Sequence, residues 1–210
     1  IDLSVVGGTG IYTYTWTLDG AEVATTEDIS DLGAGTYTVV VADQNGCSET
    51  ISVTLTEPDV FTISETHSDN FGYGVSCNGA TDGFIDVTTT GGAGVITYAW
   101  TLDGEAFAAT EDISGLGAGT YVVTAEDENN YQLSLTIEIT ESDEMALSAT
   151  TSDNFSYGVS CNGATDGSID LSVSGGTGIY TYAWTLDGSE VATTEDISGL
   201  GAGTYTVVVA

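Results

Sequence analysis

The residues best suited to chemistry lie in the stretch SDNFGYGVSCNGATDG, residues 68–83. Its last nine residues, VSCNGATDG, occur at positions 75–83 and again, unchanged, at positions 159–167. Short carboxylate and amide side chains interleaved with glycine allow a backbone to fold around a hard cation such as Ca²⁺. The candidate metal ligands, in the two copies of this stretch, are Asp69, Asn70, Asp82, Asp153, Asn154 and Asp166.

A second interpretation of the same loop needs no metal. The spacing matches no EF-hand, and Asp and Asn also serve as turn residues whose side chains accept backbone N–H groups, with glycine supplying positive φ. The segments TEPD and TESD place further carboxylates at the junctions between repeats, where a cation could also bind: Glu57, Asp59, Glu141 and Asp143. Calcium binding and a turn-only role both stay open at this point.

Nucleophilic catalysis is not expected. The chain has one histidine, His67, and three cysteines, and no lysine or arginine is present to lower the pKa of a thiol. Acidic pairs such as Glu111-Asp112 recur along the chain, which is unusual for a catalytic centre. The sequence therefore predicts a protein that is not an enzyme.

The charge balance excludes two classes of partner. Thirty-two acidic residues and no lysine or arginine give a formal net charge of −32. Nothing in the chain could neutralise nucleic-acid phosphates or the headgroups of an anionic membrane. The apolar runs are also far shorter than the ~20 residues that cross a bilayer, so no membrane insertion is expected in this segment.

The chain is an internal repeat with an offset of 84 residues. The offset relates Ile1, Ile85 and Ile169, and equally Trp16, Trp100 and Trp184. We expect three domains at residues 1–58, 59–142 and 143–210, of which the first lacks its beginning and the third lacks its end. Such a pattern is typical of a segment from a longer array, and neighbouring repeats of the same chain are the expected partners.

Hydrophobic alternation with period two predicts strands throughout. In IYTYTWTL, residues 11–18, the aromatic residues share one face and the threonines the other. IDLSV at the start of the chain reads as another strand, with Ile1, Leu3 and Val5 pointing inward. Asp19-Gly20 and its two copies suit a type I′ hairpin turn. About seven strands per 84 residues predict an all-β fold of tandem immunoglobulin-like sandwiches in an extended array.

Two aromatic positions sharpen this prediction. One Trp per repeat, in the third strand, is expected to fill the core between the sheets. The motif LGAGTY places Tyr37, Tyr121 and Tyr205 where the tyrosine corner of such a fold lies, with the hydroxyl capping a turn. Turning the aromatic face outward to stack on sugars would empty the core, which makes a carbohydrate-binding module the less favoured alternative.

Several linked motifs resemble a known family. The succession GVSCNGATDGSIDLSVSGGTGIYTYAWTLDG, then TTEDISGLGAGTYTVVVA, and DQNGCSETISVTLTEP in the first repeat, is similar to the SprB-type repeat of large gliding adhesins of Bacteroidetes. The resemblance implies export by type IX secretion, display on the outer surface and a role in adhesion and gliding motility. The second repeat departs from the pattern, because Tyr131 stands where the first repeat has Cys47.

The cysteines give no uniform disulfide scheme. Cys77 and Cys161 are equivalent, Cys47 is equivalent to neither, and no bridge closes within one repeat. A bridge between domains and free thiols both remain possible.

The function expected from these observations is a repeat segment of an extended cell-surface adhesin or filament. Each repeat would add length to a structural stalk that takes part in surface adhesion or gliding. The alternative is a calcium-dependent carbohydrate-binding module. The expected location is extracellular, on a cell surface associated with the outer membrane, with a surface polysaccharide or the substratum as the further partner.

Overall fold

The structure is a computed structural model that describes residues 1–210. It contains seventeen strands and no helix. The strands are β1 Tyr12–Leu18, β2 Ala21–Ala24, β3 Gly35–Asp43, β4 Ser48–Leu55, β5 Thr62–His67, β6 Gly83–Thr90, β7 Thr97–Leu102, β8 Glu105–Ala108, β9 Ile113–Leu116, β10 Gly119–Glu126, β11 Gln132–Ile139, β12 Ala146–Thr151, β13 Gly167–Ser174, β14 Tyr182–Leu186, β15 Ser189–Ala192, β16 Ile197–Leu200 and β17 Tyr205–Val209. No segment forms a helix long and apolar enough to span a bilayer.

The chain divides into two compact units. The first comprises residues 1–61 together with 91–93, and the second comprises residues 62–90 together with 94–210. The predicted division into three domains at residues 58 and 142 stays a prediction.

The first unit has one four-stranded antiparallel sheet, in the order β2-β1-β3-β4. Its core cluster is formed by the buried residues Trp16, Ile29, Tyr37 and Val39. Ile1 and Leu3 pack against this cluster as predicted, but residues 1–6 form no strand. The strand prediction for IDLSV was wrong because only Ile1 exchanges backbone hydrogen bonds, with Ile29, and no ladder continues along residues 2–6, whereas their counterpart β6 pairs on one side with β5 and on the other with β9.

The second unit contains the complete sandwich of the chain. Strands β5-β6-β9 form one sheet and β11-β10-β7-β8 the other, and all pairs are antiparallel. Both sheets contribute to one core cluster, which includes Ile85 from the first sheet and Trp100 from the second. Seven strands in two facing antiparallel sheets are the immunoglobulin-like architecture that the alternation predicts.

Residues 146–209 of the second unit form two further three-stranded sheets, β12-β13-β16 and β15-β14-β17. Their shared core cluster contains Leu171, Trp184 and Ile197. The bounds of β13 differ from those of β6 by the 84-residue offset, as do those of β12 from β5. The outer edge of β17 pairs with no strand, whereas its counterpart β10 lies between β7 and β11.

The predicted core tryptophans are confirmed. Trp16, Trp100 and Trp184 are 0%, 1% and 2% exposed. Each indole Nε1–H donates to a backbone carbonyl ten residues further on, at 2.9–3.0 Å. The hydrogen bond removes the penalty of burying an unpaired N–H and ties the strand to the turn that follows β2, β8 or β15.

The turn predictions also hold. Asp103 and Gly104 have φ values of 50° and 89°, and the two equivalent pairs are alike, as a type I′ turn requires. The tyrosine corner is present in all three repeats: Tyr37, Tyr121 and Tyr205 donate to the carbonyls of Gly33, Gly117 and Gly201 at 3.1–3.2 Å.

The tyrosine corner allows a direct test of what its hydroxyl contributes. Tyr121→Phe should lower the free energy of unfolding by about 1 kcal/mol, because it leaves the Gly117 carbonyl without its donor. The measurement is urea unfolding followed by tryptophan fluorescence. The matched control is Tyr157→Phe on a side chain that is 72% exposed, where we expect a change below about 0.5 kcal/mol. Equal effects of the two substitutions would contradict the role of the corner.

Candidate functional site

The loop between β5 and β6, residues 68–82, is held by its own side chains. Asp69 Oδ1 accepts the Gly72 amide at 2.7 Å, and Asn70 and Tyr73 exchange backbone hydrogen bonds around the same turn. Phe71 lies at the tip of this turn with φ 55° and is 79% exposed. The equivalent turn at residues 152–158 has the same bonds, with Asp153 Oδ1 accepting the Ser156 amide at 2.6 Å.

The second aspartate of the loop closes the nonapeptide. Asp82 Oδ1 accepts the Ser76 amide at 3.0 Å, and Asp166 accepts the Ser160 amide at the same distance. Hydrogen bonds from the serine side chain and backbone hold the pKa of Asp82 below its ordinary value, and those from Ser160 do the same for Asp166. These bonds favour the charged carboxylate on a surface where no cationic lysine or arginine is available.

The six predicted metal ligands are therefore brought together only in part. Each aspartate accepts an amide in a separate turn of its loop, and each asparagine pairs through its backbone with the tyrosine three residues further on. No group of three or more His, Cys, Asp or Glu side chains is arranged to hold a metal ion. Calcium binding by these residues stays a prediction.

The nonapeptide loop contacts the chain segment that leaves β11. The Gly74 and Val75 amides both donate to the Thr140 carbonyl, at 2.9 and 3.2 Å. Gly74 is buried, and a Cβ there would lie 2.7 Å from Ile139 Cγ2. Only glycine permits this close approach of the loop to the segment.

Two further bonds extend the contact along the segment. The Asn78 Nδ2 group donates to the Ser142 carbonyl at 2.9 Å, and the Gly79 amide donates to Glu141 Oε2 at 2.6 Å. Ser142 is only 2% exposed. Glu141 is one of the junction carboxylates that the sequence offers as a cation ligand, and in the structure it accepts a backbone amide.

A glycine pair holds the next two residues of the segment from the other side. The Gly176 amide donates to the Asp143 carbonyl at 2.8 Å, and a Cβ on Gly175 would lie 2.1 Å from the Glu144 carbonyl oxygen. Both glycines have positive φ, 78° and 61°. We call the five residues 140–144, with the loop residues 74–79 and the pair 175–176 that bind them, the linker clamp.

The first junction has the same glycine contact. The Gly92 amide donates to the Asp59 carbonyl at 2.9 Å, and a Cβ on Gly91 would lie 2.1 Å from the Val60 carbonyl oxygen. Pro58 stands where the second junction has Ser142, and proline fixes its own φ. The sequence feature that could have indicated these contacts is the glycine pair that recurs at residues 7–8, 91–92 and 175–176. From the sequence alone, such a pair indicates only a turn.

The remaining candidates for chemistry are not assembled into a site. Cys47, Cys77 and Cys161 are free and exposed. His67 Nδ1 lies 2.9 Å from Glu65 Oε2, two residues away on the same exposed strand. The aromatic residue that stands in the third strand of each repeat faces its core, as described above.

Comparison with known proteins gives a family-model match to two stretches of the chain and a similar fold among solved structures. The model of a family described as the SprB repeat matches residues 75–103 and 158–188, so both matches begin in or beside the nonapeptide. No curated protein matches the chain.

Among solved structures, three domains of the bacteriophage RB49 highly immunogenic outer capsid protein (Hoc) are similar, with a TM-score of 0.50 and 20% identity over 91% of this chain and 73% of that one. Lower TM-scores, 0.36 and 0.32, relate the chain to the amphioxus IgVJ-C2 molecule and to the N-terminal eight Ig domains of Down syndrome cell adhesion molecule. Identities are 18% over 67% of this chain and 94% of the amphioxus molecule, and 15% over 90% of this chain and 30% of the adhesion molecule. The likeness to the capsid protein concerns the fold alone.

The clamp predicts resistance of the linker to proteolysis. Asn78→Ala should raise the rate at which a glutamate-specific protease cuts between Glu141 and Ser142 about fivefold, because one lost hydrogen bond of about 1 kcal/mol raises the open population by that factor. Cleavage is followed by mass spectrometry of the 210-residue chain.

The matched control is Asn162→Ala, the same substitution in the third repeat, where the asparagine holds no linker. We expect its cleavage rate at Glu141 to equal that of the parent chain. Equal rates in both variants would contradict the clamp.

The two interpretations of the acidic loops predict different salt responses. Sodium, magnesium and calcium salts should all raise the thermal unfolding midpoint, because ions screen the repulsion within a chain of net charge −32. Calcium binding further predicts a higher midpoint in calcium than in magnesium at equal ionic strength. It also predicts that the excess disappears in the Asp69→Asn, Asp153→Asn variant, which keeps both turn acceptors. Equal midpoints in the two divalent salts would leave the aspartates a turn-only role.

Proposed function

We propose, from the premise that this chain carries SprB-type repeats, that it is a segment of an extended surface adhesin in which the repeats act as a structural stalk. Each repeat would contribute length and stiffness, with adhesion to the target made elsewhere or by many weak contacts. The finer proposals are a role in gliding motility, export by type IX secretion and attachment at the outer membrane. The match to the SprB repeat family supports these three proposals, because secretion, surface display and gliding are what the resemblance to SprB-type adhesins implies.

The observation that carries the proposal is the linker clamp. A stalk transmits force only where the chain between its domains is held, because a flexible linker extends under load before any domain resists. In the clamp, residues 140–144 bind the preceding loop through Gly74, Val75, Asn78 and Gly79 and the following glycine pair through Gly176. Four consecutive residues, 140–143, thus accept hydrogen bonds from one side or the other, and Gly175 lies close to the carbonyl of the fifth, Glu144.

The use of the aromatic residues supports the same role. Trp100 and Tyr121 are 1% exposed, and they fill the core together with Ile137 and Ile139 from the last strand. Aromatic side chains that are buried in the core of a repeat stabilise that repeat and cannot stack on a sugar. The family and the sandwich fold both support a structural domain and not an enzyme.

One observation favours the second candidate, a calcium-dependent carbohydrate-binding module. Phe71 and Phe155 are 79% and 99% exposed and both have φ 55° at the tip of equivalent turns. A bulky residue in the left-handed region is uncommon, and strained positions concentrate at functional sites. An exposed ring beside carboxylates and amides could stack on a sugar.

A length-replacement experiment tests the stalk. Removing residues 1–210 from the surface protein should reduce adhesion of cells under flow, and inserting unrelated immunoglobulin-like domains of equal total length should restore it. Restoration is expected because a spacer is defined by its reach and not by its side chains. Failure of a correctly displayed replacement to restore adhesion would contradict the proposal.

A binding assay separates the second candidate. The 210-residue chain should bind no neutral polysaccharide on an array, with or without calcium. Binding that disappears in the Phe71→Ala, Phe155→Ala variant would instead establish the carbohydrate-binding module.

A further inference from the structure

An Asn-Gly dipeptide lies at the centre of the linker clamp. Gly79 has a φ of 73°, in the left-handed region that favours glycine. The residue before it uses a side-chain donor, because Asn78 Nδ2 binds the Ser142 carbonyl at 2.9 Å. The contacts of the clamp therefore place these two residue types next to each other, and the repeated nonapeptide carries the same pair at Asn162-Gly163.

This dipeptide is chemically labile, because asparagine is a thermolabile residue and glycine has no side chain to hinder its own nitrogen. The glycine nitrogen can attack the side-chain carbon Cγ of the asparagine. A new C–N bond then closes a succinimide ring, and the bond from Cγ to the side-chain nitrogen breaks. That nitrogen leaves as ammonia, with the proton lost from the glycine N–H. Water opens the ring at either carbonyl group, so asparagine and water become aspartate or isoaspartate and ammonia.

Two hydrogen bonds of the clamp hold both reacting groups. The Gly79 amide, whose nitrogen would attack, donates to Glu141 Oε2 at 2.6 Å. The Asn78 side-chain amide, whose carbon would be attacked, donates to the carbonyl of the buried Ser142. Attack requires the nitrogen to lose its proton and to reach Cγ in a defined geometry. The closed clamp therefore restrains the reaction.

The same carboxylate has a second possible effect of opposite sign. As a base, Glu141 would take the proton from the Gly79 nitrogen and speed the attack. A carboxylate is a poor base for this purpose, because its conjugate acid is far stronger than the backbone N–H that it would have to deprotonate. Restraint by the hydrogen bond therefore outweighs assistance by the base.

We propose that Asn78-Gly79 is a modification site at which deamidation releases the linker. Aspartate at position 78 has no side-chain N–H, so the Ser142 carbonyl would lose its donor and face another acceptor. The new carboxylate would also stand next to Gly79, whose amide binds the negative charge of Glu141. Isoaspartate would in addition lengthen the backbone by a methylene group and shift that amide. The reaction is irreversible, so the clamp determines how long the junction stays held.

Deamidation rates in the intact 210-residue chain test the restraint. The chain is incubated in mildly alkaline buffer, and conversion at each asparagine is followed by peptide mapping with mass spectrometry. Glu141→Ala removes the acceptor of the Gly79 amide and should raise the rate at Asn78 at least about fivefold. Glu141→Gln keeps an acceptor oxygen and should leave the rate within about twofold of the parent value.

Asn45-Gly46 serves as the internal reference for these rates. It lies in the exposed hairpin turn between β3 and β4, and its rate should be the same in the parent chain and both variants. An Asn78 rate that is unchanged in the Glu141→Ala chain would overturn the restraint. A lower rate would overturn it as well, because Glu141 would then act as the base.

The consequence for the linker is tested without ageing by Asn78→Asp. This variant should be cut by a glutamate-specific protease between Glu141 and Ser142 about fivefold faster than the parent chain, because the donor to the Ser142 carbonyl is lost. The matched control is Asn45→Asp, the same change before a glycine in the exposed turn, which should be cut at the parent rate. Equal cleavage rates in the two variants would overturn release of the linker by deamidation.

Discussion

The chain has 32 carboxylate side chains and no lysine or arginine, so apart from Glu65, which lies beside His67, the protein groups that can hold its acidic side chains are N–H and O–H dipoles. The structure meets this constraint by directing aspartates at backbone amides. In each repeat, one aspartate accepts the backbone amide of the third residue of the IDL or IDV motif, at 2.8–2.9 Å. The three pairs are Asp28 with Leu3, Asp112 with Val87 and Asp196 with Leu171. Carboxylates that would be expected to face only solvent thus organise the loops and strand edges.

The same constraint determines how one repeat passes into the next. A salt bridge is unavailable to Glu141, and its side chain binds the Gly79 amide, while the backbone of residues 140–143 is bound by amides and by the Asn78 side chain. These are neutral donors, so the junction does not depend on a counter-charge. Glycine is required where the two backbones approach, at Gly74 on one side and Gly175 on the other.

Much of the fold could be predicted from the sequence, because period-two alternation and Asp-Gly turns report local geometry directly. The buried tryptophans, the tyrosine corner and the sheet class followed from these patterns. The prediction of a strand at residues 1–6 was wrong because a strand needs a hydrogen-bonded neighbour along its length, which hydrophobic alternation does not reveal. The clamp could not be predicted for a related reason. Asn78 and Ser142 lie far apart in sequence, and neither motif contains a pattern that indicates contact with the other.

The central claim is that the residues between the repeats are as firmly held as the strands. Backbone ¹⁵N relaxation of residues 140–144 in the 210-residue chain tests it most directly. The account predicts order parameters of about 0.85, equal to those of β10 and β11. Values below about 0.6 at these five residues, with rigid strands on either side, would contradict it.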